Sequence, residues 1–158
     1  MEELSWGGSR MEKNYVLSKP EFCTGCKVCE LACSMVHDGV FNPEKARLTI
    51  YVSSLEAMEK ARICVHCEKP PCQGACPVDA ISKDPKTGWV LVDAQTCTGC
   101  GDCVKACPFE AMHLHPGTER AINCDLCGGD PQCVAYCRPG ALLFRDKGAS
   151  AFGGKSNG

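Results

Sequence analysis

The stretch that decides the fold is residues 97–108, which read CTGCGDCVKACP. Its four cysteines follow the spacing C-x2-C-x2-C-x3-C, and a proline comes directly after the last of them. A loop with this spacing can curl around a cube of iron and sulfide and offer three thiolates to it. The three-residue step then puts the fourth cysteine about one helical turn further on, where it faces away from that cube and is free to bind another.

All 16 cysteines of the 158-residue chain fall into four groups of this kind. The second group has the spacing C-x2-C-x4-C-x3-C and the fourth has C-x2-C-x5-C-x3-C, while the first and third are alike. In chain order the quartets are Cys23, Cys26, Cys29 and Cys33; Cys64, Cys67, Cys72 and Cys76; Cys97, Cys100, Cys103 and Cys107; and Cys124, Cys127, Cys133 and Cys137. Every quartet ends in the same three-residue step, and no cysteine is left over.

Three kinds of site use many thiols: disulfides, zinc sites and iron–sulfur clusters. Disulfides are rare in the cytoplasm, and the start of the chain has neither a secretory signal pattern nor paired arginines. Zinc sites combine two separated CxxC pairs, whereas these pairs lie inside triplets. The sequence therefore predicts four [4Fe–4S] clusters with the 16 cysteines as ligands. A zinc-binding structural module is the remote alternative.

The composition leaves little material for an ordinary hydrophobic core. Hydrophobic residues make up 44% of the chain, but this figure includes the 16 cysteines. Glycine and proline number 16 and 10, which indicates many turns. Bound clusters must therefore contribute to stability, and the composition argues against a Rossmann domain, a TIM barrel or a large hydrolase.

The residues between the quartets predict short elements. A short helix is expected over residues 30–37, and the charged stretch 53–62 is interpreted as a short helix or a loop. Alternating patterns or short apolar runs predict strands at 14–17, 47–52, 89–92, 112–115 and 141–144.

The repeat also predicts how the chain is organised. The second and third quartets would form an inner two-cluster module, residues 64–112, inserted between the first and fourth quartets. The whole four-cluster domain would span 14–145. Residues 1–13 are polar and residues 146–158 are rich in glycine and serine, so both segments are expected to be flexible.

These patterns resemble the four-cluster ferredoxin-type electron-transfer subunits of complex anaerobic oxidoreductases. The resemblance rests on residues 64–72, 96–101 and 123–140 and covers about residues 15–145. It implies an α+β fold of tandem bacterial-ferredoxin-like modules, loop-rich, with short strands and short helices wrapped around the clusters. The chain departs from the family in lacking long insertions between quartets, and in having Arg138-Pro139 after the last cysteine where Cys-Pro is usual.

In that family the clusters are held crosswise, by the first quartet with the fourth and by the second with the third. The resemblance therefore implies four ligand sets in this chain. They are Cys23, Cys26, Cys29 and Cys137 (set I); Cys124, Cys127, Cys133 and Cys33 (set II); Cys64, Cys67, Cys72 and Cys107 (set III); and Cys97, Cys100, Cys103 and Cys76 (set IV).

The resemblance implies a non-catalytic subunit that relays single electrons between a catalytic oxidoreductase subunit and another redox partner, such as a flavin protein or a ferredoxin. The run 124–131, CDLCGGDP, is similar to small subunits associated with tungsten aldehyde oxidoreductases. A tungsten or molybdenum pterin partner of the aldehyde type is therefore the leading hypothesis. The alternatives are a formate dehydrogenase or hydrogenase partner, or a free diffusible polyferredoxin. Stacking of the chain on copies of itself is a further hypothesis.

Other functions find little support in the sequence. No catalytic Ser/His/Asp set, pair of catalytic acids or phosphate-binding glycine loop is present. The formal net charge is −2, and four clusters at roughly −2 each bring it to about −10, which argues against nucleic-acid binding. No stretch approaches 18 apolar residues, so we expect no membrane span and a cytoplasmic location. Among the four histidines, His66 is a candidate to hydrogen-bond near a sulfide rather than to bind iron.

Overall fold

The computed structural model describes residues 14–55 and 58–145. The segments predicted to be flexible, 1–13 and 146–158, lie outside the described residues. The fold is a small mixed assembly of helices and strands with many turns, which agrees with the loop-rich α+β prediction. Within the described ranges, every helix is too short or too polar to cross a lipid bilayer.

The described residues form eight short strands that pair two by two in antiparallel ladders. The first strand pairs with the last, with Tyr15 opposite Arg145, and so joins the two ends of the described region. The other three pairs are local hairpins, and two-stranded ribbons of this kind are only marginally stable alone. The pairs are β1 (Tyr15–Ser18) with β8 (Leu142–Arg145), β2 (Thr49–Ser53) with β3 (Met58–Arg62), β4 (Ile81–Lys83) with β5 (Val90–Val92), and β6 (His113–Leu114) with β7 (Ala121–Ile122).

Each quartet contributes one α-helix, and the helices pack in two pairs. α1 packs against α4, and α2 packs against α3. Only α1 has 11 residues, while the others have four or five and are too short to be stable without tertiary contacts. The helices are α1 (Val28–Asp38), α2 (Pro71–Ala75), α3 (Asp102–Ala106) and α4 (Gln132–Ala135).

Buried polar side chains fix the position of α1, which carries Cys29 and Cys33. The Glu30 carboxylate is 2% exposed and accepts a hydrogen bond from the backbone N–H of Ile50 at 2.6 Å. The Ser34 hydroxyl accepts one from the backbone N–H of Asn42 at 3.1 Å. These bonds tie the helix to β2 and to the chain that follows it, because neither buried group can be left unpaired without cost.

The predicted strands and the predicted helix are confirmed to within two residues at their ends. The interpretation of 53–62 as a helix or a loop was wrong, because Met58–Arg62 is strand β3. This segment is polar and has no alternating pattern, so its conformation comes from pairing with β2. The Arg62 guanidinium also lies over the Tyr51 ring, 4.0 Å from its centre, and this contact stabilises the hairpin.

The buried residues form two core clusters, and cysteines are part of both. The outer core joins Val16, Leu48, Ile50 and Leu142 with cysteines of the first and fourth quartets. The inner core joins residues such as Ile81 with cysteines of the second and third quartets. The buried cysteines are Cys29, Cys33, Cys124 and Cys133 in the outer core and Cys72, Cys97 and Cys103 in the inner core.

Candidate iron–sulfur centres

Three cavities in the described part of the chain are each lined by four cysteines from two different quartets. They contain the cysteines of set I, set III and set IV, respectively. Their empty volumes are about 380, 320 and 300 Å³, part of which is open to solvent. The three sites are therefore alike in donor type, donor number and size, as expected where one kind of group is bound repeatedly.

The cysteines of set II also lie close together, at the contact between α1 and the fourth quartet. Burial raises the pKa of the Cys133 thiol, and the neighbouring charges of Cys124, Cys33 and Cys127 raise it further. Burial likewise raises the pKa of Cys124 to about 12. Without a metal such thiols stay protonated, so binding of iron must displace their protons.

The four cysteine loops share a left-handed turn. The residue directly before the second cysteine of each quartet has a positive φ: Gly25 (68°), His66 (49°), Gly99 (74°) and Leu126 (57°). A left-handed residue in such a loop turns successive backbone N–H groups towards one point, which makes a concave anion-binding surface. The loops are therefore shaped for a group that carries negative charge.

Backbone N–H groups already donate to cysteine sulfurs in this arrangement. The N–H of Ala80 donates to the Cys76 Sγ at 3.2 Å, and that of Ala111 to the Cys107 Sγ at 3.4 Å. In both cases the donor is four residues after the cysteine. Hydrogen bonds of this kind stabilise a thiolate and adjust the potential of an iron–sulfur site.

Cys33 obtains its backbone donor from a distant residue. The N–H of Arg47, 14 positions along the chain, donates to the Cys33 Sγ at 3.2 Å. The Arg47 guanidinium then binds the Asp125 carboxylate at 3.0 Å. One residue therefore connects the two quartets that supply set II.

His37 and Asp125 form a partly buried ion pair next to set II. The Nε2–H of His37 donates to Asp125 at 2.9 Å, and the Nδ1–H donates to the carbonyl oxygen of Cys33 at 2.9 Å. Because both partners are acceptors, both ring nitrogens carry a proton, and the hydrogen bond to Asp125 raises the pKa of His37 to about 10. Although burial opposes it, the bond from His37 and the charge of Arg47 lower the pKa of Asp125 to about 2.

Asp125→Asn is expected to weaken this contact most at pH values below 6.5. The pKa of His37 is raised from 6.5, so its protonation stabilises the fold fully below pH 6.5, and this contribution is lost as the pH rises towards 10. The pKa of Asp125 is lowered from 3.8, so its contribution is present above pH 3.8 and is lost as the pH falls towards 2. At pH 6 the variant should lose its visible cluster absorbance in guanidinium about tenfold faster than the wild type. This corresponds to a loss of ~1.4 kcal/mol in the free-energy barrier to unfolding.

The difference between Asp125→Asn and the wild type should shrink by pH 9, where the unfolded chain no longer protonates His37. Asp130→Asn is the matched control, because it removes the same charge from an exposed position in the same loop. An equal effect at pH 6 and pH 9 would contradict the assigned protonation of His37.

Two glycines in the cysteine loops are expected to respond differently to substitution. Gly99→Ala should lower the iron content far more than Gly128→Ala, although both positions have φ near +70°. Both variants pay about 1–2 kcal/mol for a left-handed alanine. A Cβ on Gly99 would overlap the backbone carbonyl oxygen of Glu119, whereas no atom of the described residues lies within 4 Å of a Cβ on Gly128. Iron analysis after anaerobic purification should show iron loss only for Gly99→Ala, and equal iron in the two variants would contradict the overlap.

Buried N–H groups without an acceptor lie beside the cysteines. His66 is fully buried, and its Nδ1 accepts a hydrogen bond from the backbone N–H of Val90 at 2.9 Å. Burial lowers the pKa of His66 to about 4, so the ring is neutral and its one proton is on Nε2. Neither the Nε2 of His66 nor the Nε1 of Trp89 meets an acceptor within residues 14–55 and 58–145. Such groups fit a site whose acceptors are cluster sulfurs.

Several features of the sites had no signal in the sequence. Cysteine spacing did not indicate the Arg47–Asp125–His37 contact, because its members are far apart in the chain. Tyr136, which directly precedes Cys137, is 57% exposed. The lack of iron-binding histidines stays a prediction.

Comparison with known proteins agrees with this geometry. The 4Fe-4S dicluster domain family matches residues 55–147. The chain belongs to that family. The polyferredoxin-like subunit of the aliphatic sulfonate oxidoreductase of Pyrococcus furiosus is 40% identical over 126 residues, which cover 80% of this chain and 72% of that one.

Two further proteins are similar to this dicluster-family chain. The electron transfer subunit PhsB of the thiosulfate reductase of Salmonella typhi is 33% identical, with 86% of this chain and 78% of that one covered. The solved structure of the active site complex BamBC of benzoyl coenzyme A reductase with benzoyl-CoA is 21% identical, with a TM-score of 0.48, and 83% of this chain and 78% of that one are covered.

The family and the cysteine-lined cavities confirm the predicted cofactor and role. The chain binds four [4Fe–4S] clusters and is an electron-transfer protein rather than a catalytic subunit. The resemblance to iron–sulfur subunits of oxidoreductases is likewise confirmed.

Proposed function

We propose that this chain is the electron-transfer subunit of an oxidoreductase whose catalytic subunit carries a tungsten or molybdenum pterin, of the aldehyde type. The observation that carries the proposal is the grouping of 16 thiols into four sites within one small fold. A catalytic partner is supported by the 40% identical relative, which is named as a subunit of an oxidoreductase. The similarity of residues 124–131 to small subunits of tungsten aldehyde enzymes supports tungsten or molybdenum as the metal of that partner.

The ligands of the four clusters are proposed to be the crosswise sets I to IV. Support comes from the three cavities, each lined by the four cysteines of one set. For set II it comes from the mutual charge effects among Cys33, Cys124, Cys127 and Cys133. The packing of α1 on α4 and of α2 on α3 agrees with the same crosswise pairing.

The clusters bound by the four sets are proposed to form one electron-transfer path in the order I, II, III, IV. Cys29 of set I is an electrostatic neighbour of Cys133 in set II, and Cys124 of set II is a neighbour of Cys64 in set III. Sets III and IV are joined because α2 and α3 pack together. When bound, each cluster takes up and releases one electron, and the protein holds the four sites in sequence.

The two ends of this path are proposed to be the points of electron entry and exit. Of the 16 cysteines, all within the described residues, only Cys26 and Cys100 are exposed. Cys26 belongs to set I and Cys100 to set IV, the two ends of the proposed order. A path with two accessible ends suits a subunit between a catalytic subunit and a second redox partner, such as a flavin protein or a ferredoxin.

The finer organisation stays a proposal as well. We infer a tandem of two ferredoxin-like modules within 14–145, the inner one spanning 64–112. The two core clusters support this division, because one contains cysteines of the first and fourth quartets and the other those of the second and third. A cytoplasmic location stays a prediction.

The test is anaerobic isolation of the complex that contains this chain from its native host, followed by elemental analysis. Iron at about 16 atoms per chain, together with tungsten or molybdenum, is expected if the proposal is right. The same iron content with no second metal and no large partner would favour the free diffusible polyferredoxin instead. Zinc without iron would contradict the whole assignment. A mock isolation from cells without the tagged chain is the control for co-purifying metalloproteins.

A further inference from the structure

Sets II and III meet at a group of three side chains, the buried His66 and Asn123 and the partly buried Trp89, here called the donor group. The Asn123 side-chain N–H donates to the carbonyl oxygen of Val90 at 2.8 Å and approaches the Cys64 Sγ of set III at 3.5 Å. Asn123 is 2% exposed and directly precedes Cys124 of set II. The donor group therefore lies where the two central sites of the proposed path come together.

His66 contributes an N–H group with a fixed position. Its Nδ1 accepts from the Val90 N–H and lies 4.0 Å from the Cys64 Sγ, so the proton is on Nε2. The ring also interacts electrostatically with Asp125, which lies between two cysteines of set II. The Nε2–H is thus a buried donor between two groups of thiols, with no acceptor among the residues that the structure describes.

Trp89 contributes a second N–H group from the same hairpin as Val90. Its indole packs against the outer core, which contains Cys33, Cys124 and Cys133 of set II. The ring also approaches the loop between Cys127 and Cys133, because its Cη2 lies 3.8 Å from a Cβ built on Gly129. An indole nitrogen can only donate, and this one is buried with no acceptor in the described ranges.

We propose that His66 and Trp89 donate hydrogen bonds to sulfur atoms of the clusters bound by sets II and III, and so raise the reduction potentials of these two central sites. The inference rests on the ligand sets proposed above. Leaving a buried N–H without an acceptor costs free energy. The clusters bound by sets II and III would place sulfur atoms, which can accept hydrogen bonds, next to His66 and Trp89. The reduced cluster carries one more negative charge than the oxidised one, so a fixed donor stabilises it more.

The test on His66 uses His66→Asn in the full chain with its clusters. Asparagine tolerates the left-handed conformation at φ 49°. Its side-chain oxygen can accept the Val90 N–H, but nothing replaces the Nε2–H. Redox titration followed by EPR should show a central cluster shifted to lower potential. The expected shift is about tenfold in the reduction equilibrium, or about 59 mV for one electron.

His115→Asn is the matched control. His115 is also buried, and its Nδ1 accepts from the N–H groups of Gly117 and Thr118 at 3.1 Å. Its Nε2–H already has a protein acceptor, because it donates to Asp38 at 2.8 Å. The same substitution here should therefore leave all four potentials unchanged.

The test on Trp89 is spectroscopic. The chain contains two tryptophans, Trp6 and Trp89. After labelling tryptophan with nitrogen-15, pulsed EPR of the reduced protein should show a nitrogen-15 coupling to a cluster, and Trp89→Phe should abolish it.

Iron analysis separates this inference from the cluster assignment beneath it. If the wild type holds no iron–sulfur clusters, the proposed function fails. If His66→Asn and Trp89→Phe both retain about 16 iron atoms but have unchanged potentials and no coupling is seen, the donor inference alone is overturned. If His66→Asn loses iron, His66→Gln is measured instead, because its side chain restores an N–H near the Nε2 position. The inference then requires that the central clusters of His66→Gln have the same potentials as in the wild type.

Discussion

Removal of iron is expected to unfold this chain almost completely. Seven of the residues in the two buried cores are cysteines, and core residues also line three cavities of about 300 to 380 Å³. The helices other than α1 have four or five residues, and the strands have two to five, too few to be stable without packing. Where ligands assemble around a metal, its binding free energy becomes folding free energy, on the order of 10 kcal/mol or more per structural site.

The measurement is amide hydrogen exchange together with near-ultraviolet circular dichroism, before and after anaerobic chelation of iron. The N–H groups that pair β1 with β8 are expected to be protected in the complete protein and to exchange freely in the iron-free chain. Reconstitution with iron and sulfide should restore protection, which controls for irreversible damage. Native-like protection of the β1–β8 ladder without iron would show that apolar packing alone is sufficient.

The second prediction concerns Cys33 and Cys124, which lie 91 positions apart but are assigned to the same site, set II. Cys33→Ala and Cys124→Ala are each expected to remove one cluster, about four of 16 iron atoms. The double variant should lose no more than either single variant, because both residues serve one cluster. Non-additive losses of iron of this kind indicate that the two residues act as one unit.

The matched control is the pair Cys29→Ala and Cys33→Ala. These residues share a quartet and a helix, but they belong to sets I and II. Their double variant should lose about eight iron atoms. If this pair loses four and the Cys33 and Cys124 pair loses eight, the clusters are held within quartets, and the crosswise sets are wrong. Iron analysis and Mössbauer spectroscopy of anaerobic protein distinguish these outcomes and detect any three-iron remnant.

The cofactor and the electron-transfer role could be predicted because cluster binding depends on the spacing of cysteines that are only a few residues apart. Three thiols in a C-x2-C-x2-C loop can meet one cube whatever the rest of the chain does, and the x3 step faces the fourth away by helical geometry alone. The strands at 14–17 and 141–144 were also predictable, because both are short runs of mostly apolar residues next to a cysteine quartet. The segment Met58–Arg62 was not, because a polar stretch without alternation becomes a strand only through its partner β2.

The environment of the thiols depends on contacts between distant residues. His37 and Asp125 are 88 positions apart, and only packing of α1 on the fourth quartet turns a histidine and a carboxylate into a partly buried ion pair. His66 could be picked out from its place between two cysteines, but the sequence could not assign its proton. The Val90 N–H, 24 positions away, does so by occupying Nδ1.

The sequence by itself determined the number and chemistry of the sites: 16 thiols in four quartets, four iron–sulfur clusters and electron transfer. These follow from local geometry, because ligands a few residues apart are held near one another by covalent bonds. The packing of the helices agrees with the pairing of quartets that the resemblance implied. Only the tertiary structure decided which two cysteines reach the surface and which N–H groups are buried beside the sulfurs. Those properties depend on the packing of short helices and hairpins that have no stable position until they enclose the sites.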